Sequence, residues 1–162
     1  MNLENLVLII GGTLTALLAG LFFDYQVAVV PALRNLGAKQ HLLAMQSINV
    51  TIVNPIFLLA FLGPGILLPL AAYLHRDGAP FSVLVAAAIL HLVGVNGVTI
   101  AGNVPLNEAL EKVTVAQLTD EQAEQVRRDF QGPGARWMRL HLVRTVAATL
   151  ATALVFVACL SV

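Results

Sequence analysis

Charge is scarce in this chain, and sulfur chemistry is almost absent. Of 162 residues only 11% are charged, where a soluble domain carries about 25%. The formal net charge is zero, so no bulk electrostatic attraction to nucleic acid is expected. A single cysteine, Cys159, excludes an internal disulfide framework and argues against a cysteine metal site. The segment Met1 to Asn5 holds Glu4 but no Lys or Arg, so the positive n-region of a signal peptide is missing. The first apolar run is therefore expected to be retained as a span. Also missing are GxGxxG, a P-loop, GxSxG and HExxH. His41, His91 and His141 lie on separate elements without ligand spacing.

What is abundant is apolar surface. Hydrophobic residues make up 58% of the chain, and the mean hydropathy is +0.83. A helix needs roughly 20 apolar residues to cross the hydrocarbon layer. Four stretches meet or approach this, giving spans at about 6–30, 54–74, 81–102 and 138–162. Open sheets would leave backbone groups unpaired in lipid. The expected fold is therefore all-α: a single membrane domain built as a four-transmembrane-helix bundle. Short amphipathic helices are expected in the first loop, from about Ala38, and in the third.

Local signals sharpen the boundaries. Asn54-Pro55 reads as an N-cap followed by Pro at the first helical position. Thr119-Asp120-Glu121-Gln122 reads as a capping box opening a helix from about Asp120 to Phe130, which Gly132-Pro133-Gly134 would end. Gly63-Pro64-Gly65 and Pro69 are expected to interrupt the second span, and Pro105 offers a break point after the third. The short turn at 75–80 should bring spans two and three side by side.

Orientation follows from the positive-inside bias. Loops one and three, with adjoining helix ends, hold Arg34, Lys39, Lys112, Arg127, Arg128, Arg136, Arg139 and Arg144, whereas the other side holds Arg76 alone. Loops one and three are thus expected in the cytoplasm and both termini outside. The expected location is the inner membrane of a bacterial cell. Gly12, Ala16 and Gly20 form a small-residue ridge on span one, and Ala147, Ala148 and Ala151 another on span four. Such ridges let helix backbones approach closely. Packing within the bundle is the expected use, and a homo-oligomer the alternative.

Amides and ionisable groups at membrane depth cost roughly 2.5–3.5 kcal/mol, so each should face the bundle interior or an interface. Three polar groups stand out. Asn96, Thr99 and Asn103 share one face of span three, and Asn107 extends it by a turn. Trp137, His141, Arg144 and Thr145 share one face of span four. Asp24, Tyr25 and Gln26 end span one near Gln46 and Asn49 of the first loop. Interhelical bonding, interfacial snorkelling and an Asp24–Arg144 ion pair would each account for a group structurally. A ligand site is the other reading: Arg144 can donate to an anionic oxygen, and a desolvated His141 can act as a neutral base. His91 falls roughly opposite the Asn96 face, where packing suffices.

The segments Ala101-Gly-Asn-Val-Pro-Leu-Asn-Glu-Ala-Leu110 and Arg136-Trp-Met-Arg-Leu-His-Leu-Val-Arg-Thr145 resemble the two signatures of the anthrone oxygenase-like family of small four-helix membrane proteins. Met45 to Pro55 is similar to the family's second helix, and Gly20 to Tyr25 to the end of its first. The resemblance implies, from some members, insertion of oxygen from O2 into anthrone-type aromatics without a cofactor. By position it carries over Asn103, Asn107, Trp137, His141 and Arg144. His141 would be the base and Arg144 the anion stabiliser. Asn103 and Asn107 would hold ring oxygens, and Trp137 would stack on the rings. The expected partners are the bilayer and an apolar aromatic small molecule, in a closed chamber shared by the two polar faces. Two other readings stay open: a non-catalytic binder of lipid, quinone or a partner helix, and a haem or metal protein using His91 or His141.

Overall fold

The computed structural model describes residues 2–161. Met1, and Val162 at the expected end of span four, lie outside the described residues. Six helices account for the architecture: α1 (Leu3–Arg34), α2 (Ala38–Thr51), α3 (Pro55–Leu74), α4 (Phe81–Glu111), α5 (Asp120–Gln131) and α6 (Arg136–Cys159). No strand occurs among the described residues. Four helical stretches are long and apolar enough to cross a membrane, which marks the chain as a membrane protein.

The helix starts follow from local chemistry. Asn2 accepts from the Asn5 N–H to cap α1. Asn54 accepts from the Ile56 and Phe57 N–H groups, and Pro55, with no N–H to satisfy, begins α3. Thr119 and Gln122 form the expected reciprocal capping box at α5. Gly134, at φ +77°, makes the left-handed turn between α5 and α6, a conformation that a Cβ would strain.

The prolines act differently from expectation. α3 runs unbroken through Pro64 and Pro69, since in lipid the surrounding helices tolerate the lost backbone bonds. α1 and α4 continue past Pro31 and Pro105 instead of ending near Val30 and Gly102. In both, the helix first widens into a π turn, at Tyr25–Val29 and at Thr99–Asn103. The Val30 N–H reaches back to the Tyr25 carbonyl, and the Val104 N–H to the Thr99 carbonyl. The next residue in each case is the proline, so the widening falls where an α-helical N–H would be missing anyway. A second π stretch, Leu90–Gly97, lies higher on α4.

The four long helices form a ring in which α1 contacts α3 and α6, and α4 contacts α3 and α6. One apolar cluster (Leu8, Leu68, Leu84, Val155) fills the end near both termini, and another (Leu18, Phe22, Phe61, Val95, Ala148) the middle. A third (Val30, Leu42, Met45, Leu110, Phe130, Trp137) lies where α2 and α5 cover the opposite end. Small residues set the spacing. A Cβ on Gly94 would stand 2.6 Å from Ala147 Cβ, and one on Gly12 2.7 Å from Val155 Cγ1. Gly20 has nothing within 4 Å, so the span-one ridge works at Gly12 and not along its length.

The cap over the third cluster is pinned by polar bonds. His41 is fully buried, with Nδ1 3.0 Å from the Leu33 carbonyl and Nε2 2.9 Å from Gln131 Oε1. Arg34 donates to the Gln131 carbonyl. Gln46 donates to the carbonyls of Leu110 and Val113, both at 2.9 Å.

Candidate functional site

Between the middle cluster and the cap lies a cavity of about 300 Å³, at the lower end of the range for small-molecule sites. α1 supplies Phe22 and Tyr25. The α2–α3 junction supplies Asn49, Val53 and Phe57. α4 supplies Thr99, Asn107, Glu108 and Glu111, and α6 supplies Trp137 and Arg144. Both π turns adjoin this space. π turns tend to mark functional sites because they displace the backbone and re-aim side chains.

Arg144 is the buried cation of the wall, 9% exposed. Its Nε donates to His141 Nδ1 at 3.1 Å and its Nη1 to Thr99 Oγ1 at 3.4 Å. The guanidinium lies over the Phe22 ring at 4.4 Å and within 5.6 Å of the Trp137 ring centroid. No carboxylate pairs with it among the described residues. In particular the expected Asp24–Arg144 pair does not form. Asp24 is exposed on the outer side of α1, just before the π turn.

The aromatic wall is continuous. Trp137 stacks on His141 at 5.0 Å and 26°, and Tyr25 meets both rings at 5.9 and 5.5 Å. Trp137 Nε1 donates to Asn107 Oδ1 at 2.7 Å. That bond fixes the Asn107 amide, leaving its NH2 to donate elsewhere. The Tyr25 hydroxyl donates to Met45 Sδ at 2.8 Å.

Of the residues singled out from sequence, Arg144, Thr99, Asn107, Trp137, Tyr25 and Asn49 line the cavity. The others do not. His141 is fully buried behind Arg144 and the aromatic wall. Asn103 is also fully buried, donating at 3.2 Å to the Trp137 carbonyl, so it ties α4 to α6 instead of facing the cavity. Asn96 donates to the Phe61 carbonyl at 3.2 Å, and His91 Nε2 lies 3.1 Å from the same oxygen. The two residues thus share a face, contrary to the α-helical expectation. They are five apart within a π stretch, whose wider turn nearly superposes such positions. Gln46 serves the cap, as described above.

The chamber is also not closed. Val50 and Val53 at its rim are 67% and 65% exposed, and Glu108 and Glu111 are exposed as well. Missed by the sequence reading are Phe22, Phe57, Glu108 and Glu111. Glu111 was within reach of the pattern, because the stripe Asn96, Thr99, Asn103, Asn107 continues to it by a further step of four once the helix is carried through Pro105, whereas Glu108 lies off that stripe. Among the described residues no three His, Cys, Asp or Glu side chains gather as metal ligands.

Fold and site together define a small four-helix membrane protein with a ligand-sized, aromatic-walled pocket at one end of its bundle. The family model for anthrone oxygenase matches residues 55–154, more than half of the chain, and the chain belongs to that family. Comparisons with curated proteins and with solved structures give no match.

Proposed function

We propose that the protein is a cofactor-independent oxygenase that uses O2 to oxidise an anthrone-like or hydroquinone-type aromatic from within the membrane. The observation that carries this reading is Arg144: a buried guanidinium on the wall of a largely apolar pocket, in no ion pair among the described residues. Burying an uncompensated charge is costly, so the site favours a ligand that brings or develops negative charge. An anthrone does so when it loses a proton, because the resulting anion spreads onto its ring oxygen. Arg144 would stabilise that anion electrostatically. Asn107 would donate to a second ring oxygen. Phe22, Tyr25 and Trp137 would flank the planar rings.

The deprotonated substrate is itself the reductant for O2. One electron passes to O2, and superoxide then recombines with the carbon radical to form a peroxide. Loss of water leaves a carbonyl. A methylene and one O2 become a C=O and one water, so no other reductant is needed. Substrate and O2 both partition into lipid, and the pocket opens at the exposed apolar rim of Val50 and Val53. By the lysine and arginine bias this end faces the cytoplasmic leaflet.

The test is oxygen uptake by the purified protein with anthrone, measured against quinone formed. One O2 consumed per quinone, and loss of this activity in Arg144→Ala, are expected. Saturable quinone binding without oxygen uptake would instead make the protein a membrane carrier or binder. A haem absorption band in the purified protein would replace the cofactor-free reading with a haem one.

A further inference from the structure

Resting on the oxygenase reading, we infer that the substrate proton is taken by the carboxylates of Glu108 and Glu111 on α4, and that His141 is not the base. The first argument is elimination. A general base must reach the proton it removes, directly or through one water. His141 does not line the cavity, and its Nδ1 already accepts from Arg144 Nε. Arginine has no acceptor lone pair, so the shared proton belongs to arginine and a neutral His141 carries its own on Nε2. Arg144 is a donor. Tyr25 spends its hydroxyl proton on Met45 and acts as a donor too. Thr99, Asn49, Asn107 and Trp137 do not take up protons. Among the residues that line the cavity this leaves Glu108 and Glu111. Neither is in an ion pair among the described residues. Asn49 Nδ2 lies 3.4 Å from Glu111 Oε1 and orients it.

The second argument is the shape of the substrate. In an anthrone the acidic methylene and the carbonyl oxygen that receives the charge sit on opposite edges of the central ring. Base and anion stabiliser must therefore stand across the site from one another. His141 and Arg144 share α6 and are bonded together, so they occupy one edge. Glu108 and Glu111 reach the cavity from the end of α4, where its rim is exposed. A ligand whose ring oxygen meets Arg144 would then extend its methylene toward the rim that Glu108 and Glu111 line.

The proton count then closes. A carboxylate takes one C–H proton, and the electron pair left behind moves onto the ring oxygen at Arg144. After O2 adds at that carbon, the carboxylic acid returns its proton to the peroxide anion. The carboxylate next removes the second C–H proton as the O–O bond breaks. The departing hydroxide takes that proton and leaves as water.

The experiment separates proton removal from oxygenation. Anthrone is incubated anaerobically in D2O with the full-length protein in nanodiscs, and methylene exchange is followed by NMR. The wild type should accelerate exchange. The Glu108→Gln/Glu111→Gln double variant should lose about 10²–10⁴-fold of that rate while still binding 9,10-anthraquinone. Should the double variant fail to fold, the two single variants are scored in the same way, and at least one must lose exchange. Wild-type exchange rates in glutamine variants that bind quinone would overturn the inference. Wild-type exchange without oxygen uptake in air would sink the oxygenase reading and leave the carboxylate base standing. No exchange by the wild type would sink both.

Discussion

Arg144 Nε donates to His141 Nδ1 at 3.1 Å, and this one contact aims the guanidinium toward the cavity while setting the histidine tautomer. What α6 needs at position 141 is an acceptor placed where Nδ1 now sits, with an aromatic or planar group against Trp137.

His141 therefore divides two substitutions that a base would not. Asn Oδ1 falls close to the position of His Nδ1, so His141→Asn should keep most of the turnover. His141→Phe keeps a flat ring but no acceptor. Hydrogen bonds to charged groups are worth about 1.5–3 kcal/mol, so a loss of roughly 10–100-fold is expected. The loss should fall on kcat more than on KM, because the aimed guanidinium matters most once the anion forms. Equal loss in both variants would return His141 to the role of base.

Arg144 should not be replaceable by lysine. Its guanidinium reaches His141 and Thr99 at once and lies over the Phe22 ring, and an ammonium has neither the fork nor the plane. Arg144→Lys and Arg144→Ala should both lower kcat by about 10²–10³, the usual cost of losing a pre-placed donor. Steady-state oxygen uptake is the readout, and full activity in the lysine variant would show that charge alone suffices.

Trp137 is the only tryptophan in the chain and stands in the cavity wall, which makes it a built-in reporter. Adding 9,10-anthraquinone should quench its emission saturably. Trp137→Phe keeps the ring but loses the 2.7 Å bond to Asn107, so it should raise KM several-fold with less change in kcat. A quinone that fails to perturb the fluorescence would place the ligand elsewhere.

The bundle spacing can be tested away from the site. Gly94→Ala adds a Cβ 2.6 Å from that of Ala147. Overpacking of this kind costs about 1–3 kcal/mol, so the melting temperature in detergent should fall. Ala147→Gly in the same chain should restore part of the loss. Independent, additive effects of the two changes would mean that the helices do not meet at this pair.

Much of this was readable from the chain because lipid imposes simple rules. Long uncharged runs must be helices, and Asn54-Pro55 and Thr119 to Gln122 carry their caps in the sequence itself. Arg144, Thr99, Asn107 and Trp137 reach a common pocket because inward polar faces at one depth have few other places to go. Position within the π turns was not readable. Ordinary helical spacing puts His91 and Asn96 on different sides, and the uncharged run ends the third span near Gly102; the actual winding reverses both readings. Asp24 misled for a related reason. A carboxylate beside a polar stripe invites an ion pair, yet it lies on the outer side of α1 while the neighbouring Tyr25 turns in.

The widened stretch Tyr25–Val29 holds one residue more than regular winding would require. The extra residue is absorbed within that stretch, and Phe22 before it packs in the middle cluster while Leu33 after it packs in the cap cluster. A relative one residue shorter here would keep the bundle and lose the displacement that presents Tyr25. Ligand preference in chains of this kind would then diverge through single-residue gaps, without any substitution in the polar stripes.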